Sequence, residues 1–358
     1  MKNAATKGCD KTVLITGGAG FVGANLANHF LSKGYRVRIL DSLIRKGVEL
    51  NLQWLLRRGG DQVEFLRADI RDPVAVEEAV AGVEMIYHLA AQVAVTSSLT
   101  FPVEDFEVNA RGTLNVLEAM RRQHRPPALL FTSTNKVYGA LDDLVLNEQA
   151  TRYVANERKD QSISERRDLD FHSPYGCSKG AAEQYVRDYG RSFGLRTIVF
   201  RMSCIYGPHQ FGNEDQGWVA HFLIRSLEGQ PIVVFGNGKQ VRDILFVDDL
   251  VAACWLAYQE IDVLAGGIFN IGGGFSNTIS LLELLKLIED FHGSTSKISF
   301  GNVREGDQRY FVSDTTAFRR QTGWRAKISV DRGVQELHRW LAANRQRPTE
   351  SELTRAAA

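Results

Sequence analysis

The chain has 358 residues, 44% of them hydrophobic, enough to bury a large core in one domain or two coupled ones. Its 43 basic and 42 acidic residues leave a net charge of +1, which gives no electrostatic case for nucleic acid or an anionic membrane as partner. Cys9, Cys177, Cys204 and Cys254 are scattered without a CxxC pair, so no metal site or disulfide framework is indicated, and free thiols fit a reducing, cytoplasmic setting.

The first residues, MKNAATKGCDKTVLITGG, lack the apolar core of a signal peptide, and no run approaches the ~18–20 apolar residues that span a bilayer. KTVLITGG (11–18) reads as a buried strand, and FVGANLANHFLSKG (21–34) as a helix ending at Gly34. YRVRILD (35–41), VEFLRADI (63–70), VEMIYHLAA (83–91), PALLFTST (127–134) and LRTIVFRMSCIYG (195–207) read as further strands. Helical patterns fill the gaps, among them 102–123 and 175–193. Near-continuous apolar strands alternating with helices predict a parallel sheet covered on both faces. After Gly207 the pattern changes. GPHQFGNEDQGW is loop-like, VVFGNGKQVRDILFVDDL joins a glycine turn to a short strand, and IFNIGGGFSNTISLLELLKLIEDF gives strand, loop and helix. This predicts a smaller, partly discontinuous second lobe. The segment ANERKDQSISERRD (155–168) fits no motif, and the polar end RQRPTESELTRAAA reads as a frayed tail.

The first strand-to-helix turn, TGGAGFVG, spaces Gly17, Gly20 and Gly23 as GxxGxxG. A dinucleotide pyrophosphate needs backbone N–H groups and a helix N-terminus at close range, and a side chain at these glycines would block it. A tight turn alone would also use glycine, but this one follows a strand and opens a helix. The next strand ends in Asp41, 18 residues past Gly23. A carboxylate there accepts from the adenosine ribose hydroxyls and repels a 2′-phosphate, which favours NAD over NADP. Arg45 and Lys46 follow, as adenine-stacking or solvent-facing cations. Asp69-Ile70 suits the adenine edge, or a simple strand-end cap.

In HSPYGCSKGAAEQY (172–185), Tyr175 and Lys179 stand four apart, on one face of a helix. A free phenol, with a reference pKa of about 10, is a poor base at neutral pH, and a nearby ammonium favours the phenolate. The spacing is common by chance. Downstream of a GxxGxxG turn and five strands it becomes the expected proton-transfer pair. Thr134, at the C-terminal end of a strand and beside Ser133, is the candidate to hold the substrate oxygen. Its plainer use is a bond to the local backbone.

The strings TGGAGFVG, HLAAQ, STNKVYG, SPYGCSKGAAEQY and VRDILFVDDL resemble the extended short-chain dehydrogenase/reductase group of nucleotide-sugar epimerases and dehydratases, over nearly all of residues 11–340. STNKVYG, TRY, DQGWV and GNGKQVRD look specifically like its CDP-sugar 2-epimerases. The resemblance implies an α/β fold: a Rossmann-type doubly wound parallel sheet with a smaller C-terminal nucleotide-sugar-binding lobe. The expected division is 8–206 plus 241–275 for the NAD domain, 207–240 plus 276–345 for the substrate lobe, and 346–358 for a flexible tail. It implies tightly held NAD, a nucleotide-diphosphate sugar substrate, transient oxidation at C2 and a homodimer or homotetramer.

By position, the resemblance makes Thr134, Tyr175 and Lys179 the catalytic set. Gly17, Gly20, Phe21, Val22, Gly23, Asp41, Asp69, Ile70, Leu89, Ala90, Ala91 and Asn109 would line NAD, with Ser42, Arg45, Gln92, Thr132 and Ser203 as further candidates. Arg242 and Arg309 are the diphosphate candidates, because guanidinium forks suit phosphate oxygens. Asn135, Lys136, Trp218 and Gln240 join Gln92, Thr134 and Ser203 on the substrate side. A 4,6-dehydratase would need an acid and a base beside the threonine, an Asp-Glu pair in that family; Asn135 and Lys136 stand there instead. A C4 epimerase would share every catalytic group named. A non-catalytic NAD-binding protein would need none of Thr134, Tyr175 and Lys179.

Overall fold

The computed structural model describes residues 11–344 except 158–160, 294–295 and 305. Cys9, the C-terminal tail and part of the motif-free segment lie outside the described residues. The strands, in chain order, are β1 (Thr12–Thr16), β2 (Arg36–Asp41), β3 (Val63–Arg67), β4 (Met85–His88), β5 (Ala128–Thr134), β6 (Leu146–Glu148), β7 (Tyr153–Ala155), β8 (Thr197–Met202), β9 (Cys204–Tyr206), β10 (Ile232–Phe235), β11 (Val241–Phe246), β12 (Ile268–Ile271), β13 (Thr278–Ser280), β14 (Ile298–Gly301) and β15 (Tyr310–Phe311).

Seven of them form one sheet, in the order β12-β8-β5-β4-β1-β2-β3, with every neighbour parallel. Alternate residues feed opposite faces, as a pleat requires. Val13, Ile15, Val37, Ile39, Tyr87 and Phe200 pack on one side with Phe30, Leu55 and Cys254 from the helices Phe21–Ser32, Val48–Gly59 and Val247–Gln259. Leu14, Leu40, Ile86, Leu129, Phe131 and Val199 pack on the other with Val76, Leu117 and Val186 from Pro73–Val80, Gly112–Arg121 and Ser173–Phe193. Strand order reverses between β1 and β4, so the crevice above their C-terminal ends is where an open sheet of this kind takes ligands.

The single strand expected over 195–207 is two. β8 ends at Met202, and β9 leaves the large sheet to pair with β11. The break falls at Ser203, whose hydroxyl bonds Asp243 on β11. β11 also pairs antiparallel with β13 and parallel with β15, while β10 pairs with β14. Cys204–Tyr206 and Val241–Phe246 thus sit in the smaller sheet, and Ile268–Ile271 in the large one. The helix expected over 102–123 is also interrupted. Pro102–Phe106 and Gly112–Arg121 are joined by a wider π turn, Glu107–Arg111, which carries Asn109. Such turns recur near functional sites.

The motif-free segment finds its place by tertiary contact. Ile163 bridges Ser313 in parallel, and its carbonyl accepts from Asn270 Nδ2 at 2.8 Å. Glu165 Oε1 accepts from the Asn270 N–H at 2.7 Å.

Candidate active site

β1 runs into the glycine turn and the helix Phe21–Ser32, with Gly20 as its N-cap. The three glycines do different things. Gly17 has φ +68°, and a Cβ there would lie 2.8 Å from the Ala90 nitrogen, so it serves both turn and close approach. A Cβ on Gly23 would lie 2.4 Å from the Gly17 oxygen, so Gly23 serves helix-to-turn packing. A Cβ on Gly20 would meet only that same oxygen, at 3.1 Å, leaving the approach to the helix N-terminus open. This cradle fits a pyrophosphate.

Asp41 ends β2 beside it. Its Oδ2 accepts from the Ala19 N–H at 3.0 Å and its Oδ1 from the Leu43 N–H at 2.9 Å. Burial raises its pKa, and these bonds and Arg45 pull it back. The Arg45 guanidinium, on the loop after β2, feels the charges of both Asp41 and Tyr175. Phe21 and Val22 line the central cavity. Ser42, Leu89, Ala90 and Ala91 are half-buried on the strand-end loops around the turn.

Four of the expected cofactor residues have their polar groups engaged or their side chains elsewhere. Asp69 holds Arg71 in a fork, with Nε to Oδ1 at 2.9 Å and Nη2 to Oδ2 at 2.8 Å, which lowers its pKa. Ile70 is buried in the core beneath Gly112. The Thr132 hydroxyl donates to the His88 carbonyl at 3.1 Å. Asn109 is buried and spends its amide on protein: Oδ1 accepts from the Gln92 N–H at 2.9 Å, and Nδ2 donates to the Gln92 carbonyl at 3.0 Å. Asn109 therefore fixes the loop that carries Gln92.

Tyr175 and Lys179 lie in the first turns of Ser173–Phe193, both buried. The Thr134 hydroxyl shares the cavity wall with Tyr175, donates to Asn135 Oδ1 at 3.3 Å and accepts from the Lys136 N–H at 3.2 Å. It thus makes the local backbone bond from a position on the cavity wall. Burial pushes the phenol up to about 12, against the Thr134 hydroxyl and the Arg45 charge, which favour the phenolate. The expected lowering by Lys179 is absent here. Burial drops the Lys179 ammonium itself to about 7, against the pull of Asp105 and Glu183. Its Nζ lies 4.2 Å from the centre of the Phe131 ring. Desolvation outweighs pair attraction for both groups.

Asp105 gave no signal in the sequence. It is buried, accepts from the Ser178 hydroxyl, and takes a bond from Asn109 Nδ2 at 3.2 Å. Its carboxylate supplies the first opposing charge that Lys179 feels. On the other flank, Glu183 pairs with buried Arg201 at 2.5 Å and accepts from Ser133 at 2.7 Å.

Thr134 and Tyr175 open on a cavity of about 380 Å³, which Asn135, Lys136, Ser203, Trp218 and Arg242 also line. Arg242 Nη2 donates to Asp307 Oδ1 at 2.6 Å. The Ser203 hydroxyl is taken up by Asp243, whose buried carboxylate also accepts from the Gly274 N–H at 3.0 Å. Arg309 and Gln240 do not reach this cavity. They line a second pocket with Tyr153, Asn237 and Phe300, and the Arg309 side chain is 53% exposed. Arg304, missed in the sequence, lines the central cavity in its place. Its guanidinium lies 3.8 Å from the Phe235 ring centre and its Nη1 donates to the Glu214 carbonyl at 2.9 Å. The usable signal was the pair of arginines in VREGDQRY, of which the earlier faces inward.

Gln92 Oε1, Thr96 Oγ1 and Gln210 Oε1 are buried without a partner, and the latter two line the cavity. Buried polar atoms of this kind are the ones a polar ligand satisfies. Among the described residues, no group of three His, Cys, Asp or Glu side chains could hold a metal ion. No described helix is long and apolar enough to cross a membrane.

Residues 13–272 match the family described as the NAD dependent epimerase/dehydratase family. The CDP-paratose 2-epimerase of Salmonella typhi is 44% identical over 338 residues, covering 92% of this chain and 99% of that protein. The UDP-glucose 4-epimerase of Thermotoga maritima, solved with UDP-glucose, superposes with a TM-score of 0.80 at 29% identity, over 94% of this chain and 100% of that one. The UDP-glucose 4-epimerase of Thermus thermophilus, solved with NAD, gives a TM-score of 0.77 at 30% identity, over 93% and 99%.

Proposed function

The chain belongs to the NAD-dependent epimerase/dehydratase family, and on that premise we propose that it inverts C2 of a nucleotide-diphosphate sugar of the CDP-paratose to CDP-tyvelose type. It is an NAD-dependent isomerase. The observation that carries the reading is that Thr134 and Tyr175 line one cavity, with Asn135 and Lys136 next in line on its wall. Elimination would call for an acid and a base at those two positions. The 44% identity favours C2 over C4.

NAD, when bound, supplies the hydride acceptor and donor and brings positive charge to the crevice. The chain's residues supply binding and proton transfer. The Gly17–Gly23 turn and the N-terminus of Phe21–Ser32 take the pyrophosphate, and Asp41 takes the adenosine ribose. Tyr175 Oη removes the proton from the C2 hydroxyl and returns it to the same oxygen after the other face of the ketone is reduced. Thr134 Oγ1 holds that oxygen throughout. Lys179, with an ammonium held near 7, keeps a proton available behind Tyr175. Arg242 and Arg304, at the two sides of the cavity, hold the diphosphate while the sugar turns over.

The helical stretches 102–123 and 175–193 expose Val103, Phe106, Tyr185 and Phe193, which supports a homodimer formed through this face. The exposed free thiol of Cys177 supports a reducing, cytoplasmic location. The test is incubation with CDP-paratose, and separately with CDP-, GDP- and UDP-hexoses, followed by NMR of the product. The reading expects inversion at C2 of the CDP-linked sugar. Inversion at C4, or loss of water, would replace it.

A further inference from the structure

C2 and C4 of a hexose differ in one respect that a protein can use. C2 is bonded to the anomeric carbon that carries the diphosphate, whereas C4 lies across the ring from it. To present C2 to Thr134 and Tyr175, the site must draw the sugar-linked phosphate close to those two residues. To present C4, it must hold that phosphate farther off. A C2 enzyme therefore needs a cation beside the catalytic hydroxyl.

Lys136 is such a cation. It follows Thr134 by two residues, and its own N–H is bonded to the Thr134 hydroxyl at 3.2 Å, so the backbone carrying the ammonium is tied to the group that holds the reacting oxygen. Its side chain is only 19% exposed. Nζ donates to the Gly306 carbonyl at 2.9 Å, which leaves two of its three donors. The nearest carboxylate, Asp307, is 3.8 Å away, beyond hydrogen-bond range, and already bonded to Arg242 at 2.6 Å. Two cations thus face one carboxylate on the wall of the cavity that Thr134 and Tyr175 share. Burial lowers the Lys136 pKa and Arg242 adds to the effect, the condition that an incoming anion relieves.

We propose that Lys136 binds the sugar-linked phosphate and thereby sets C2, rather than C4, against Thr134 and Tyr175. The inference rests on the C2 reading above and deepens it. Arg242, held by Asp307, is the fixed partner. Lys136 is the adaptable one, a point charge with free donors on a flexible stem. The same two cations could instead meet a carboxylate on the sugar, and the test separates the two anions.

The experiment compares the NAD-loaded wild type with Lys136→Met, which keeps the stem and removes the charge, and with Lys136→Arg. Calorimetry measures binding of CDP, CMP, UDP-glucose and UDP-glucuronate, and NMR follows C2 inversion of CDP-paratose at saturating concentration. The account expects Lys136→Met to bind CDP roughly ten- to hundredfold more weakly, the usual worth of a charge-assisted hydrogen bond. CMP binding stays unchanged, which also shows that the variant is folded. UDP-glucose and UDP-glucuronate weaken equally, C2 turnover falls, and Lys136→Arg recovers part of the CDP affinity. Unchanged CDP binding, or an equal loss for CDP and CMP, overturns the phosphate contact. A greater loss for UDP-glucuronate than for UDP-glucose assigns the ammonium to a sugar carboxylate and overturns it too. Weakened CDP binding with C2 turnover intact overturns the choice of carbon. If the wild type leaves CDP-paratose unchanged, the C2 reading fails on its own, and the CDP and CMP data still report on the phosphate contact.

Discussion

Lys179 gives the sharpest stability prediction, because the same burial that suits it to proton transfer works against the fold. Its pKa falls from 10.5 to about 7, with desolvation as the first cause. That fall corresponds to ~5 kcal/mol against holding the ammonium in the folded protein. The folded value lies below the unfolded one. Under about pH 7 both states bind the proton and the full penalty is present. Between there and pH 10.5 the unfolded state binds more protons, so stability rises with pH and the penalty fades. Lys179→Met removes the charge and keeps most of the stem. In cofactor-free protein it should be more stable than wild type by up to ~5 kcal/mol near pH 6, and by about 3 kcal/mol near pH 8.5. It should also be inactive. Urea unfolding of both proteins at the two pH values measures the gap. A variant less stable than wild type near pH 6, or a gap that does not shrink by pH 8.5, would refute the reasoning.

Glu183→Gln strips the partner from Arg201, whose side chain is 3% exposed, and should destabilise the fold by about 3–5 kcal/mol in thermal unfolding. Gly23→Ala puts a Cβ 2.4 Å from the Gly17 oxygen, so the turn must open; purified protein should carry little NAD by absorbance while keeping its far-ultraviolet spectrum. Asp105→Asn removes the first charge that supports Lys179, so the lower limb of the pH–rate profile should move, while Asp105→Glu keeps it near its wild-type position. Unmoved profiles would leave Asp105 a packing residue only.

What the sequence made legible was local. The β1 turn, its three glycines and Asp41 lie within 25 residues, and each is fixed by backbone geometry that a short string can state. Tyr175 and Lys179 were readable because a helix puts residues four apart on one face. The rest depends on distant contacts. Asp105 meets Ser178 across 73 positions, so no window held both. Arg304 and Arg309 share one string, but only the loop's path around Phe235 decides which faces the cavity. Ser203 ends β8 because Asp243 on another strand holds it. The sign of the Tyr175 shift was also out of reach, since spacing shows a neighbouring ammonium but not the desolvation that outweighs it. Ile163 shows the reverse case, a segment without a motif that Ser313 and Asn270 place.

The most direct measurement of the hydride path uses CDP-paratose carrying deuterium at C2, turned over by the wild-type protein in ordinary water. Removal and return of one hydride at one carbon predicts a product inverted at C2 with the deuterium still there. A C2-inverted product that has exchanged its deuterium for solvent hydrogen would mean proton abstraction from carbon, and would contradict the account.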